Sequence, residues 1–135
     1  MGNPTVVAKR SPLRVLVTDD EALIRWSVAE TLSDLGVEVL QADSGCATLA
    51  ALDRADRPFH VVVVDLRLPD VADLSLVTRI RETYASTAVV VITAFGTPDI
   101  VAGAYAIGVT AVVSKPFDVH ELARVVLTAG GHGAA

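Results

Sequence analysis

Cysteine is nearly absent from this chain, aromatic rings are few, and positive charge is nowhere clustered. The single cysteine, Cys46, cannot close an internal disulfide, and no thiolate spacing points to a zinc site. Cys46 falls among small apolar residues in a helical pattern, so it reads as a core or boundary residue rather than a reactive thiol. Aromatics make up only 4% of residues, which leaves Val, Leu, Ile and Ala to build the core. Lys and Arg number 11 against 16 acidic residues and are scattered. With a net charge of -5 and no basic patch, direct nucleic-acid binding by this chain is not expected. The apolar runs are strand-sized, too short for a membrane span, and residues 1–12 lack the apolar stretch of a secretory signal. A soluble, cytoplasmic protein is expected.

What is present is apolar and periodic. The chain has 135 residues, 52% of them hydrophobic, enough for one domain with a real core and no need of staples. Five short apolar runs fall at 13–18, 37–41, 61–64, 88–93 and 110–113, and the third is four valines in a row. Unbroken β-branched runs of this length suit strands buried on both faces of a parallel sheet. Helical spacing fills the intervals at 22–35, 44–55, 73–84, 97–107 and 118–128. Gly36 and Gly108 mark two stops, Asp43 or Ser44 caps the second helix, and Thr97-Pro98 opens the fourth. Strands and helices in strict alternation predict an α/β fold of (βα)5 form, with right-handed crossovers covering both faces of the sheet. The domain is expected over 12–128, with a tail at 1–11 and a Gly-rich tail or linker stub at 129–135.

The functional signal is where the polar residues stand. The first run leads into Asp19, Asp20 and Glu21, the third ends at Asp65, the fourth at Thr93, and the fifth reaches Lys115. In a parallel sheet these strand ends share one carboxyl edge, the edge at which open α/β sheets bind ligands. Taken singly, each has a plain reading: an Asp caps a helix, a Thr sits in a loop, a Lys is solvated. Taken together, carboxylates with an ammonium and a hydroxyl make a site for phosphoryl transfer. A hard divalent cation such as Mg²⁺ relieves the carboxylates' repulsion, and an Asp can serve as covalent acceptor.

Four motifs carry a family resemblance: Val-Thr-Asp-Asp-Glu at 17–21, Asp-Leu-Arg-Leu-Pro-Asp at 65–70, Ile-Thr-Ala-Phe-Gly at 92–96 and Ser-Lys-Pro-Phe at 114–117. Over about 13–128 the chain resembles the receiver domains of two-component response regulators, most of all those of nitrogen-response type. The resemblance implies a flavodoxin-like doubly wound sheet of strand order 2-1-3-4-5. It implies Asp65 as phosphoacceptor, with Mg²⁺ held by Asp19, Asp20, Asp65 and the backbone carbonyl of Arg67. Thr93 and Lys115 would contact the phosphoryl oxygens, and Pro116 would follow a cis peptide bond. A sensor histidine kinase or phosphotransfer protein would be the donor. The output would go to an effector protein or a further domain, and a homodimer could form through the last strand and helix around Val112, Val119 and Leu122. Such a protein is a signalling phosphoacceptor, an enzyme only toward its own phosphorylation and dephosphorylation.

The chain departs from the family pattern at two positions. Val112 stands where the family carries a Tyr or Phe that swings inward on phosphorylation, and Asp73 stands near where it carries Gly. Asp73 is therefore expected to take a left-handed turn at some cost. Val112 leaves a second reading open: an interaction module that keeps the fold and works without phosphorylation. If the switch survives, the helix at 98–107 is expected to shift, with Phe95 and Tyr105 as nearby reporters. A Mg²⁺-dependent phosphohydrolase is a third reading, but 135 residues leave no room for a substrate-binding cap.

Overall fold

The valine-rich runs form the middle of a sheet. In the computed structural model, which describes residues 12–131, five strands alternate with five helices. The strands are β1 (Arg14–Thr18), β2 (Glu38–Ala42), β3 (Val61–Asp65), β4 (Ala88–Thr93) and β5 (Ala111–Ser114). All pair in parallel, in the order β2-β1-β3-β4-β5. The predicted (βα)5 sheet and its 2-1-3-4-5 order are both present. The N-terminal tail expected at 1–11 lies outside the described residues, as does 132–135 of the C-terminal one.

Burial explains which runs were plain in the sequence. Every residue of β1 and β3 is buried, because helices cover both their faces. β2 and β5 are the sheet's edges and are only partly covered, which is why β2 tolerates Glu38 and Gln41 and made the weakest run. The helices are α1 (Ala22–Asp34), α2 (Gly45–Arg54), α3 (Ser75–Thr83), α4 (Pro98–Ile107) and α5 (Val119–Ala129). α1 and α5 pack on one face through Val28, Leu32, Leu122 and Val126, among a layer of Val15, Val17, Val61 and Val63. α2, α3 and α4 cover the other through Leu52, Leu76, Ile80 and Ala104. α4 is the lightly held member, since Ala104 is its sole fully buried residue.

The helix ends follow the predicted chemistry. Ser44 caps α2, its hydroxyl accepting the Ala47 N–H at 3.0 Å, and Thr97 caps α4 ahead of Pro98. Gly36 and Gly108 close α1 and α4 with φ of +86° and +108°, a backbone that favours glycine. Two expectations fail. Cys46 is exposed, because α2 buries Gly45, Thr48 and Leu52 and turns Cys46 away from that stripe. Among the described residues only glycines have positive φ, so Asp73 takes no left-handed turn. It serves instead as a local cap, accepting the Ser75 N–H at 2.9 Å and the Ser75 hydroxyl at 2.6 Å, and α3 starts two residues later than the pattern suggested. No helix among the described residues is long and apolar enough to cross a membrane.

Because both faces of the sheet carry a packed layer, the two layers should be about equally sensitive. Ile80→Ala and Leu122→Ala, each at a fully buried position, should each cost about 2–5 kcal/mol in urea unfolding. Leu23→Ala, at a position 76% exposed, should change stability by less than about 0.5 kcal/mol. Equal costs at all three sites would contradict this layering.

Candidate functional site

Register assembles the site. Thr18 is level with Val64, Asp65 with Ile92, and Thr93 with Ser114. Asp19 directly follows β1 and Lys115 directly follows β5, so four strand ends deliver their polar groups to one place. This is the carboxyl edge, where the sheet order reverses between β1 and β3.

Asp65 is 3% exposed, and both its oxygens are engaged. Oδ1 accepts the Arg67 N–H at 2.9 Å, and Oδ2 accepts from Lys115 Nζ at 2.8 Å. The same ammonium lies 2.8 Å from Glu21 Oε1 and 3.2 Å from Asp19 Oδ2. Burial opposes the charge on Lys115, but the carboxylates of Asp65, Glu21 and Asp19 outweigh it and hold its pKa above the usual lysine value. Asp19 moves the other way from an ordinary salt-bridged Asp. Burial pushes its pKa up, and the Asp65 charge adds to that. The Glu21 N–H donated to Oδ1 and the Lys115 ammonium offset only part of the rise.

The arrangement suits a divalent cation. Asp19, Asp20, Glu21 and Asp65 each place a carboxylate oxygen within 4.8 Å of all the others. Asp19 Oδ2 is buried and has no hydrogen-bond partner, since its approach to Lys115 is an ion pair without hydrogen-bond alignment. A buried, orphaned carboxylate oxygen beside three more is a donor set for a hard cation. Glu21 was read in the sequence only as the end of an acidic run; its contact with Lys115 makes it part of the site.

Thr93 is buried at the end of β4, its hydroxyl accepting the Phe95 N–H at 3.1 Å. It lines a cavity of about 520 Å³ with Arg67 and Phe95, whose side chains stack, the guanidinium carbon 4.7 Å from the ring centre. The Arg67 side chain is thus engaged by the Phe95 ring. The Lys115–Pro116 peptide is cis, as the resemblance implies. Val112, the position lacking a ring, gains an aromatic neighbour from elsewhere: the Tyr105 hydroxyl of α4 accepts the Val112 N–H at 3.2 Å. No spacing in the sequence announces that contact.

Comparison with known proteins gives the family. Residues 15–127 match the family model described as "Response regulator receiver domain". The DNA-binding transcriptional regulator NtrC of Salmonella typhimurium is 31% identical over 118 residues, covering 87% of this chain and 25% of that protein. The transcriptional regulatory protein PdtaR of Mycobacterium tuberculosis is 34% identical over 126 residues, 90% of this chain and 59% of its own length. The crystal structure of the receiver domain of NtrX from Brucella abortus superimposes with a TM-score of 0.77 at 32% identity, covering 87% of this chain and 98% of that one. The chain thus spans about a quarter of NtrC and just over half of PdtaR, and nearly all of an isolated receiver. It belongs to the response regulator receiver domains of two-component systems, and is similar to those of nitrogen-response type.

Proposed function

We propose that this chain accepts a phosphoryl group on Asp65 from a phosphohistidine of a sensor kinase or phosphotransfer protein, and switches a protein-interaction surface. The observation that carries the reading is the buried Asp65 carboxylate held 2.8 Å from Lys115 Nζ, amid three further carboxylates. A carboxylate oxygen of Asp65 attacks phosphorus, and the bond from phosphorus to the donor imidazole nitrogen breaks. Its electron pair stays on the imidazole, and an acyl phosphate forms on Asp65. Asp19, Asp20, Asp65 and the Arg67 carbonyl would hold Mg²⁺, and Glu21 stands close enough to join them. When bound, the ion neutralises charge on the phosphoryl oxygens and the carboxylates. Lys115 gives its ammonium to those same oxygens, and the Thr93 hydroxyl donates to them.

A donor has a place to dock. A groove of about 580 Å³ runs between α1 and the β5–α5 connection, lined by Leu23, Ile24, Ala94, Lys115, Pro116 and Phe117. Of these, Leu23 is 76% exposed. Lys115 lines the groove and bonds Asp65, so a helix seated on these apolar side chains sets its phosphohistidine against the acceptor.

The output runs through α4. This helix buries little, and Tyr105 ties it to β5 by the bond to Val112. Thr93 sits at the head of the loop leading to α4, so a phosphoryl group that draws the Thr93 hydroxyl away from the Phe95 N–H loosens that loop. The signal then passes to an effector protein or a further domain.

Incubation with acetyl phosphate and Mg²⁺ should add one phosphate mass to the wild type and none to Asp65→Ala, by intact mass spectrometry. A folded, Mg²⁺-binding wild type that stays unlabelled would favour a phosphorylation-independent interaction module. The crowded carboxylates give a second expectation. The folded protein holds the Asp19 proton more tightly than the unfolded chain, so this group's contribution is lost as pH rises through its raised folded pKa. In EDTA at pH 7, Asp19→Asn should therefore raise the urea midpoint, while Mg²⁺ should stabilise the wild type more than the variant. Finally, the Val112 amide should shift in NMR spectra when a phosphate mimic binds, and in Tyr105→Phe its hydrogen exchange should already be fast without the mimic. An unmoved Val112 amide would exclude this relay.

A further inference from the structure

The loop between β3 and α3, residues 66–74, carries the Arg67 carbonyl but belongs to neither strand nor helix. Leu66 and Leu68 bury its base, and Leu68 and Val71 close a turn with the Leu68 N–H donating to Val71 at 2.8 Å. Asp70 sits on this turn and reaches outside the loop. Its Oδ1 accepts the Gly45 N–H at 2.8 Å, and its Oδ2 accepts the Cys46 N–H at 2.9 Å. These are the leading N–H groups of α2, otherwise left without partners inside the helix. Two charge-assisted bonds from one carboxylate fix the loop's position and orientation together.

The residue at 45 independently fits the same clasp. A Cβ on Gly45 would fall 2.8 Å from Val71 Cγ2 and 3.2 Å from Asp70 Oδ1, so only glycine lets the loop seat this closely. α2 is in turn fixed to the other half of the acidic cluster. The Thr48 hydroxyl lies 2.8 Å from that of Thr18, buried, one residue before Asp19. The Asp19 N–H donates to Ala42, at the end of β2, at 3.2 Å. A continuous path of bonds therefore runs from the β1 carboxylates through Thr18, Thr48 and the head of α2 to Asp70 and the acceptor loop.

We infer that Asp70 is a positioning residue: with Gly45 it sets the separation between the loop that carries the Arg67 carbonyl and the carboxylates Asp19 and Asp20. The inference rests on the metal-dependent reading above, for which that separation fixes the bite of the site. Asp70 touches neither the phosphoryl group nor the metal; it acts through the loop.

The test uses four variants of the whole chain: Asp70→Ala, Asp70→Asn, Gly45→Ala and Ser44→Ala. The last removes the other side-chain cap of α2, on Ala47, without touching the loop. Mg²⁺ affinity by calorimetry should fall about tenfold in Asp70→Ala and Gly45→Ala, as outer contacts of metal sites typically do. Asp70→Asn, which keeps an oxygen for one N–H, should recover part of the loss. Ser44→Ala should lower the melting temperature yet leave Mg²⁺ affinity unchanged. Hydrogen exchange in metal-free protein supplies a readout that needs no metal: the Arg67 and Val71 amides should exchange faster in Asp70→Ala and not in Ser44→Ala. Wild-type affinity in Asp70→Ala, or an equal loss in Ser44→Ala, would overturn the assignment. A wild type that binds no Mg²⁺ would defeat the metal reading instead, and unchanged loop exchange in Asp70→Ala would then overturn the clasp on its own.

Discussion

One ammonium stands among three carboxylates, and much of the molecule is arranged around that fact. Lys115 lies within 3.2 Å of Asp19, Glu21 and Asp65, two of which are almost wholly buried. Left to themselves these carboxylates would repel one another in surroundings that solvate them poorly. The lysine compensates part of the charge, and the orphaned Asp19 oxygen marks where the compensation stops. A site left short of positive charge is drawn to a divalent cation and to whatever changes the charge on Asp65. The proposed phosphoryl transfer to Asp65 would act on that imbalance, because the arriving group would alter the charge that the site leaves uncompensated.

The crowding is tolerable because the sheet beneath it is rigid. Strands β1, β3 and β4 are buried almost throughout, and their register leaves no freedom in where the strand ends fall. A slip of one residue would turn the valines of β3 to the opposite layers and carry Asp65 away from Lys115. The hydrophobic layers therefore hold the charged edge in place, and the free energy of burying them offsets the strain of gathering like charges. At the margin of the sheet β5 and α4 are packed more loosely, which makes the β4–β5 side a compliant part of the fold.

The sequence was informative where a single residue type decides the outcome. Valine runs gave the strands, Gly36 and Gly108 the helix stops, Thr97-Pro98 the start of α4, and strand-end placement the meeting of Asp19, Asp65, Thr93 and Lys115 at one edge of the sheet. It was uninformative where the partner lies far along the chain. Asp70 and Gly45 are 25 residues apart, and neither has a spacing that betrays the other. Local helical pattern reads Cys46 as a core or boundary residue, yet only the direction of α2 against the sheet decides which of its faces is covered. Asp73 was judged by the backbone its family neighbours adopt, whereas its own carboxylate offered a cheaper solution through Ser75. Tyr105 belonged to a helix that could be drawn but not aimed.

That last contact has a consequence at the open margin of the sheet. β5 is an outermost strand, and an outermost strand normally offers bare N–H groups to any extended chain that passes. Here the phenol of Tyr105 occupies the Val112 donor, so a side chain does the work that a sixth strand would otherwise do. Removing the phenol would bare that one donor. A bare donor on an edge strand is the kind of group to which an added strand bonds. In this fold one phenolic oxygen masks a donor that the edge strand would otherwise leave bare.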